Sequence, residues 1–140
     1  MDAGLIEGVI LTPLKVINVP GGDVLHAMKS GDSGFKNFGE AYFSKINYMS
    51  IKGWKLHQKM LLNLVAPIGS VKFVFTDGLG NFKEEKIGEN NYCRLTVPSG
   101  VWFAFQGLEK QNLILNVSNI LHDDNEVLKE DLSKYTYNWE

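Results

Sequence analysis

Short runs of β-branched and aromatic residues, each closed by glycine, proline or a polar pair, organise this chain from end to end. From Val9 to Val19 the pattern is apolar and β-branched, and Pro20-Gly21-Gly22-Asp23 supplies the turn that ends it. Val24 to Met28 reads as a short strand, and Ser30-Gly31-Asp32-Ser33-Gly34 as a glycine-rich polar loop. Further strands are expected over Ala41 to Met49, Trp54 to Ala66, Ser70 to Thr76, Arg94 to Val97, Val101 to Phe105 and Leu113 to Ile120. Turn chemistry separates them at Pro67-Ile68-Gly69, Asp77-Gly78-Leu79-Gly80 and Pro98-Ser99-Gly100, while Lys83-Glu84-Glu85-Lys86 reads as a solvated hairpin tip. Many short strands at this spacing point to a sandwich or barrel. Only the end of the sequence reads as helical: Val127, Leu128 and Leu132 fall at helical spacing between Asp123 and Lys134, with Asp123 or Asp124 as cap.

The most informative stretch is Ile51-Lys52-Gly53-Trp54-Lys55-Leu56-His57-Gln58-Lys59-Met60. On a strand, Lys55 and His57 share a face because side chains alternate with period two, so a cation and a base converge on one pocket. Composition narrows what that pocket serves. With 140 residues, 44% of them hydrophobic, the chain suits one domain over residues 1–140. A net charge of -2 gives no basic footprint for nucleic acid. No apolar run reaches the length of a membrane span, the one cysteine (Cys93) has no internal partner, and the N-terminus lacks a signal-peptide pattern; the cytoplasm is the expected compartment. Thirteen of the basic residues are lysines and one is Arg94, so an anion site must rely on point charges rather than guanidinium forks.

Three segments carry a family likeness: Lys52-Gly-Trp-Lys-Leu-His-Gln-Lys59, Pro67-Ile-Gly-Ser-Val-Lys-Phe-Val74 and Val97-Pro-Ser-Gly-Val-Trp102. From about Val9 to Trp139 the chain resembles the RmlC-like cupins that act on nucleotide-linked 4-keto-6-deoxy sugars. Two branches are close, the dTDP-4-dehydrorhamnose 3,5-epimerases, with Arg-Gly-Leu-His, and the sugar 3,4-ketoisomerases, with Arg-Gly-x-His-x-His-Lys and Pro-Gly-Val-Trp. The resemblance implies an all-β cupin jelly-roll barrel with a short C-terminal helix, working as a homodimer without a cofactor. It places Lys52 at the Arg position that faces the substrate phosphates, Lys55 in place of the first ketoisomerase His, and His57 at the second. It also makes Gly22 to Lys29 look like the segment that crosses to a neighbouring subunit, with Lys29 and His26 as candidate nucleotide contacts. The epimerases' enolate-stabilising Lys falls at Leu62, their general-acid Tyr near Asn116, their further His at Phe103, and the His-supporting Asp near Asp131.

Removing a proton beside a ketone needs a base at the C–H bond and a cation or donor at the oxygen. His57 and Lys55 suit those roles, since an imidazole, with a reference pKa of about 6.5, is largely neutral at pH 7. Return of the proton to the opposite face needs a second donor, Tyr42 or Tyr48, and the ketoisomerases carry a Tyr close to Tyr42. This set favours epimerisation, at C3 or at C3 and C5, of a sugar destined for a surface polysaccharide such as an O-antigen; a 3,4-ketoisomerase and a non-catalytic sugar-binding cupin are the alternatives.

Asn63, Gln106 and Asn116 can hydrogen-bond sugar hydroxyls or satisfy buried backbone. Trp102 is the aromatic available to stack on a nucleobase, although Trp54, Trp102, Phe103 and Phe105 read first as core. His122 reads as an exposed helix-start residue. With three histidines in the chain and one on the relevant strand, no metal site is expected.

Overall fold

The computed structural model describes residues 4–140. After a helical turn, α1 (Gly4–Glu7), come β1 (Ile10–Pro13), β2 (Val16–Ile17), β3 (Val24–Leu25), β4 (Glu40–Lys45), β5 (Ile51–His57), β6 (Leu62–Ile68), β7 (Ser70–Thr76), β8 (Phe82–Gly88), β9 (Cys93–Val97), β10 (Trp102–Gly107), β11 (Leu113–Ser118) and β12 (Val127–Lys129). Two antiparallel sheets face each other, β1-β9-β6-β11-β4 and β12-β5-β10-β7-β8, and β2 pairs with β3 in a separate hairpin. This is the jelly roll expected of a cupin. No helix among the described residues is long and apolar enough to cross a membrane.

Alternation decides which side chains fill the space between the sheets. From the first sheet Leu62, Leu64, Leu95 and Ile114 point inward, and from the second Val71, Phe73, Phe75, Ile87 and Phe103 meet them. Burying each such side chain contributes on the order of 1.5–3 kcal/mol, so this layer supplies most of the driving force for bringing the sheets together.

Both outer faces are also covered. Over the second sheet, Trp54, Val74 and Ala104 lie beneath Phe82, Trp102, Tyr135, Tyr137 and Trp139. The Trp54 indole donates to the Leu132 carbonyl at 3.2 Å, the Lys72 ammonium to the Trp139 carbonyl at 2.9 Å, and the Tyr137 hydroxyl to Glu84. Residues 132–139 thus form a strap. Over the first sheet lies the loop that follows β3: Asn63 donates to the Gly34 carbonyl at 3.0 Å, and Arg94 to the Ala27 carbonyl at 3.0 Å.

The segment expected as a C-terminal helix is not one. It forms a 3-10 turn (Asp124–Glu126), then β12, then a second 3-10 turn (Leu132–Lys134). Asp123 does cap the first turn, accepting from the Asn125 N–H at 2.9 Å. The chain then pairs Val127, Leu128 and Lys129 with the open edge of β5, because an unpaired strand edge offers more hydrogen bonds than one further helical turn. The two long expected strands are divided as well: Leu14-Lys15 separates β1 from β2, and the polar Gln58-Lys59 turn separates β5 from β6. Lys83 to Lys86 is the middle of β8 rather than a tip, which lies at Asp77 to Asn81.

Candidate active site

β5 does not alternate simply. Its register with β10 shifts between Phe103 and Ala104, where Phe103 opposes Lys55 and Ala104 opposes Gly53, leaving Trp54 as the extra residue of a bulge. Gly53 makes this feasible, with φ at 145° and Ala104 packed where a side chain would stand. Trp54 turns to the outer face, and Lys52, opposite Phe105, joins Lys55 and His57 on the inner one. Without the bulge, Lys52 and Lys55, three residues apart, would face opposite ways.

His57 stacks on Phe103, ring centroids 6.2 Å apart, and its Nδ1 bonds to the carboxylate of Glu126. Glu126 is 3% exposed. Its second oxygen accepts the backbone N–H groups of Lys59 and Met60, both at 2.9 Å, which fixes the carboxylate and through it the imidazole. Burial pushes the Glu126 pKa up, but the hydrogen bonds from His57, Lys59 and Met60 outweigh it and leave the group below its ordinary value. A proton held at Nδ1 by this anion leaves the Nε2 lone pair free to act as a base.

β12 brings a further cation. Lys129 opposes Lys55 across the β5–β12 pair and therefore shares the inner face. Burial lowers the Lys55 pKa, and repulsion from Lys129 and Lys52 lowers it further. The Lys52 ammonium reaches the Lys45 carbonyl at 3.0 Å, spanning from one sheet to the other. On the facing wall, β11 pairs Asn116 with Tyr42 of β4 and with the inward Leu64 of β6, so Tyr42 and Asn116 also point into the barrel. Asn116 donates to Ser44 Oγ at 3.2 Å. Burial, and secondarily Glu40, raises the Tyr42 pKa, which keeps the phenol protonated and able to donate.

Of the residues singled out in the sequence, the inner walls therefore hold His57, Lys55, Lys52, Tyr42 and Asn116. Others lie elsewhere. Asp131 is exposed and borders a cavity shared with Lys55 and Lys129 but bonds nothing in the dyad; Glu126, five residues earlier, takes the place expected for it, since β12 draws the preceding turn over His57. Trp102 packs on Tyr135 on the outer face of the second sheet, ring centroids 5.5 Å apart. Gln106 opposes Lys72 on that same face and donates to the Met49 carbonyl at 3.4 Å. Asn63 faces outward from the first sheet and accepts from Thr96 at 2.6 Å. His26 and Lys29 line a separate cavity on the outer side of the first sheet. Glu126 and Lys129 went unread because both sit where a helix was expected. Among the described residues, no group of three or more His, Cys, Asp or Glu is placed to hold a metal ion.

A dTDP sugar isomerase from Desulfovibrio desulfuricans G20 is 30% identical and superposes with a TM-score of 0.89 over 95% of this chain and 91% of that one. The chain belongs to the RmlC-like cupin family. As a member of it, the protein is an enzyme of the isomerase class. Other cupins of the family share the fold at lower identity. The sugar 3,4-ketoisomerase QdtA from Thermoanaerobacterium thermosaccharolyticum, in complex with TDP, is 17% identical, with a TM-score of 0.76 over 90% of each chain. A dTDP-4-dehydrorhamnose 3,5-epimerase from Elizabethkingia anophelis NUHP1 is 15% identical, with a TM-score of 0.78 over 100% of this chain and 85% of that one. No family profile matches the sequence, and no curated protein does.

Proposed function

We propose that this RmlC-like cupin is an epimerase of a dTDP-linked 4-keto-6-deoxyhexose, inverting C3, or C3 and C5, by proton removal beside the ketone. The observation that carries this reading is the two-walled arrangement, with the His57–Glu126 dyad on one sheet and Tyr42 on the inner face of the other. His57 Nε2 takes the carbon-bound proton, the C–H electrons move to the ketone oxygen, and the Lys55 ammonium stabilises the enolate that results. Tyr42 then gives its proton to the opposite face of the carbon and regains one from solvent, to which His57 releases the proton it took. Asn116 is the candidate contact for a sugar hydroxyl, and Lys52 for the diphosphate. We place the reaction in the cytoplasm, on the way to a surface-polysaccharide sugar.

Ketoisomerisation is the second reading, with His57 at the second His position of the ketoisomerase motif and Lys55 in place of the first: His57 carries the C3 proton to C4 on one face, while the O3 hydroxyl proton passes to O4 through the enediol. Incubation in heavy water with dTDP-, CDP- and GDP-linked 4-keto-6-deoxyhexoses, followed by proton NMR, separates the two. Loss of the C3 signal, alone or with C5, while the carbonyl stays at C4 supports the epimerase. A carbonyl that moves to C3 establishes the ketoisomerase instead, and unchanged spectra with every substrate overturn both. His57→Asn should abolish exchange in a folded protein, and an undiminished rate removes His57 as the base.

We further propose a homodimer. The β2–β3 hairpin leaves Val16, Ile17, Val24 and Leu25 exposed, and a lone two-stranded ribbon has too little to pack against in water unless a second chain covers it.

A further inference from the structure

Outside the barrel, a cavity of about 170 Å³ lies where the two stems of the β2–β3 hairpin meet β9. Lys15 enters from the stem before the hairpin and His26 and Lys29 from the stem after it, with Asp32 and Arg94 completing the charged lining. Arg94 is 1% exposed. Its Nη1 donates to the Ala27 carbonyl at 3.0 Å and to Asp32 at 3.3 Å, but its Nε–H is buried with no acceptor. A buried donor left unpaired is costly, and here it belongs to a cation that borders the cavity. One carboxylate, Asp32, faces three cations, Lys15, Lys29 and Arg94. Asp32 is already engaged, accepting the Lys29 backbone N–H at 2.8 Å as well as Arg94. The cavity thus holds an excess of positive charge, and the guanidinium at its edge keeps one buried N–H without a partner.

We propose that this cavity binds a phosphate group, held by Arg94, Lys15 and Lys29, which pins the neck of the β2–β3 hairpin to the first sheet. Its volume is below the roughly 300–1,000 Å³ of sites that enclose drug-sized ligands, so it suits a tetrahedral oxyanion and leaves any nucleoside outside. Charge favours the dianion over a carboxylate, because two positive charges remain after Asp32 is counted. The neck itself is held by few bonds, among them the His26 N–H to the Lys15 carbonyl at 2.9 Å and the Tyr92 hydroxyl to the His26 carbonyl at 2.8 Å. An anion bridging both stems adds to these and sets the direction in which the exposed apolar hairpin projects.

Calorimetric titration with inorganic phosphate, paired with amide hydrogen exchange over residues 14–29, tests this. Saturable binding is expected, at least tenfold weaker in Lys15→Ala and Lys29→Ala, with slower exchange across the neck when phosphate is present. Both lysines are exposed, so these variants should fold even if Arg94→Gln does not. Absence of binding at millimolar phosphate overturns the proposal, as does binding that neither lysine variant weakens or that leaves the neck amides unprotected. A parallel titration with dTDP in the Lys52→Ala background identifies the source of the phosphate. Weakening of dTDP binding by Lys29→Ala assigns the site to a nucleotide's phosphate, and phosphate binding without it assigns the site to the free ion. Neither readout uses sugar turnover, so failure here leaves the barrel chemistry untouched.

Discussion

Glu126 bonds three donors with two oxygens, and its replacements should separate what each bond does. Glu126→Gln retains an acceptor for the two backbone N–H groups but loses the anion beside His57. We expect isotope exchange at the sugar to slow by a factor within the roughly 10²–10⁴ that a positioned base contributes, with the denaturation midpoint lowered near neutrality, though by less than in Glu126→Ala. Glu126→Ala strands two backbone donors as well and should lose about 1–3 kcal/mol for each in urea unfolding. Because the Glu126 pKa is depressed in the folded state, its ionised form stabilises the protein above the ordinary value of 4.5, and this is lost as pH falls through the lower folded-state value. The midpoints of the wild type and Glu126→Gln should therefore draw together in acid. Lys129 is read differently. Its removal relieves Lys55 of a neighbouring charge, so in Lys129→Ala the alkaline limb of the pH–rate profile should move to higher pH; a limb that stays in place denies Lys55 the enolate role. His57 and Lys55 were legible in the sequence because spacing alone puts them on one face. Glu126 was not, since its burial depends on a strand pairing that no local pattern announces.

At the scale of elements, most strands and turns followed from alternation and glycine or proline punctuation. Ser70 to Thr76 was placed with its observed limits, while Trp54 to Ala66 concealed a turn, because Gln58-Lys59 lacks the usual glycine or proline signal. The bulge at Gly53-Trp54 was hidden as well: a glycine within a strand marks a bend, but which neighbour turns outward depends on the aromatic layer waiting there. That layer, the strap of residues 132–139, carries its own pH dependence. Burial and the bond to Glu84 push the Tyr137 pKa up to about 12, against an ordinary 10.0. The folded protein thus keeps this proton after the unfolded chain has lost it, and the stabilisation, whole below pH 10, is lost as pH rises through about 12. In Tyr137→Phe the fall of the denaturation midpoint between those values should be shallower than in the wild type. Parallel curves would mean that the hydroxyl contributes nothing to the strap.

For the whole molecule, the jelly roll was readable because two facing sheets are the economical way to bury so many short apolar strands. What the sequence did not give away was the sorting of candidate site residues among three faces: Asn63, Gln106 and Trp102 serve the outer layers, and only the register between strands reveals it. The hairpin yields a prediction at this scale. Sedimentation should give twice the chain mass, and charges introduced together as Val24→Lys and Leu25→Lys should convert the dimer to a monomer; a wild type that sediments as a monomer removes the dimer. A last consequence concerns the order in which the chain is made. His57 and Glu126 are separated by 69 positions, and the strap that holds β12 follows later still. Domains fold as they leave the ribosome, at roughly 5–20 residues per second, so for several seconds a nascent chain displays the histidine without its carboxylate. On the proposed mechanism, proton abstraction therefore waits for Glu126 and the strap that follows it, and a product cut short before Glu126 should lack the dyad.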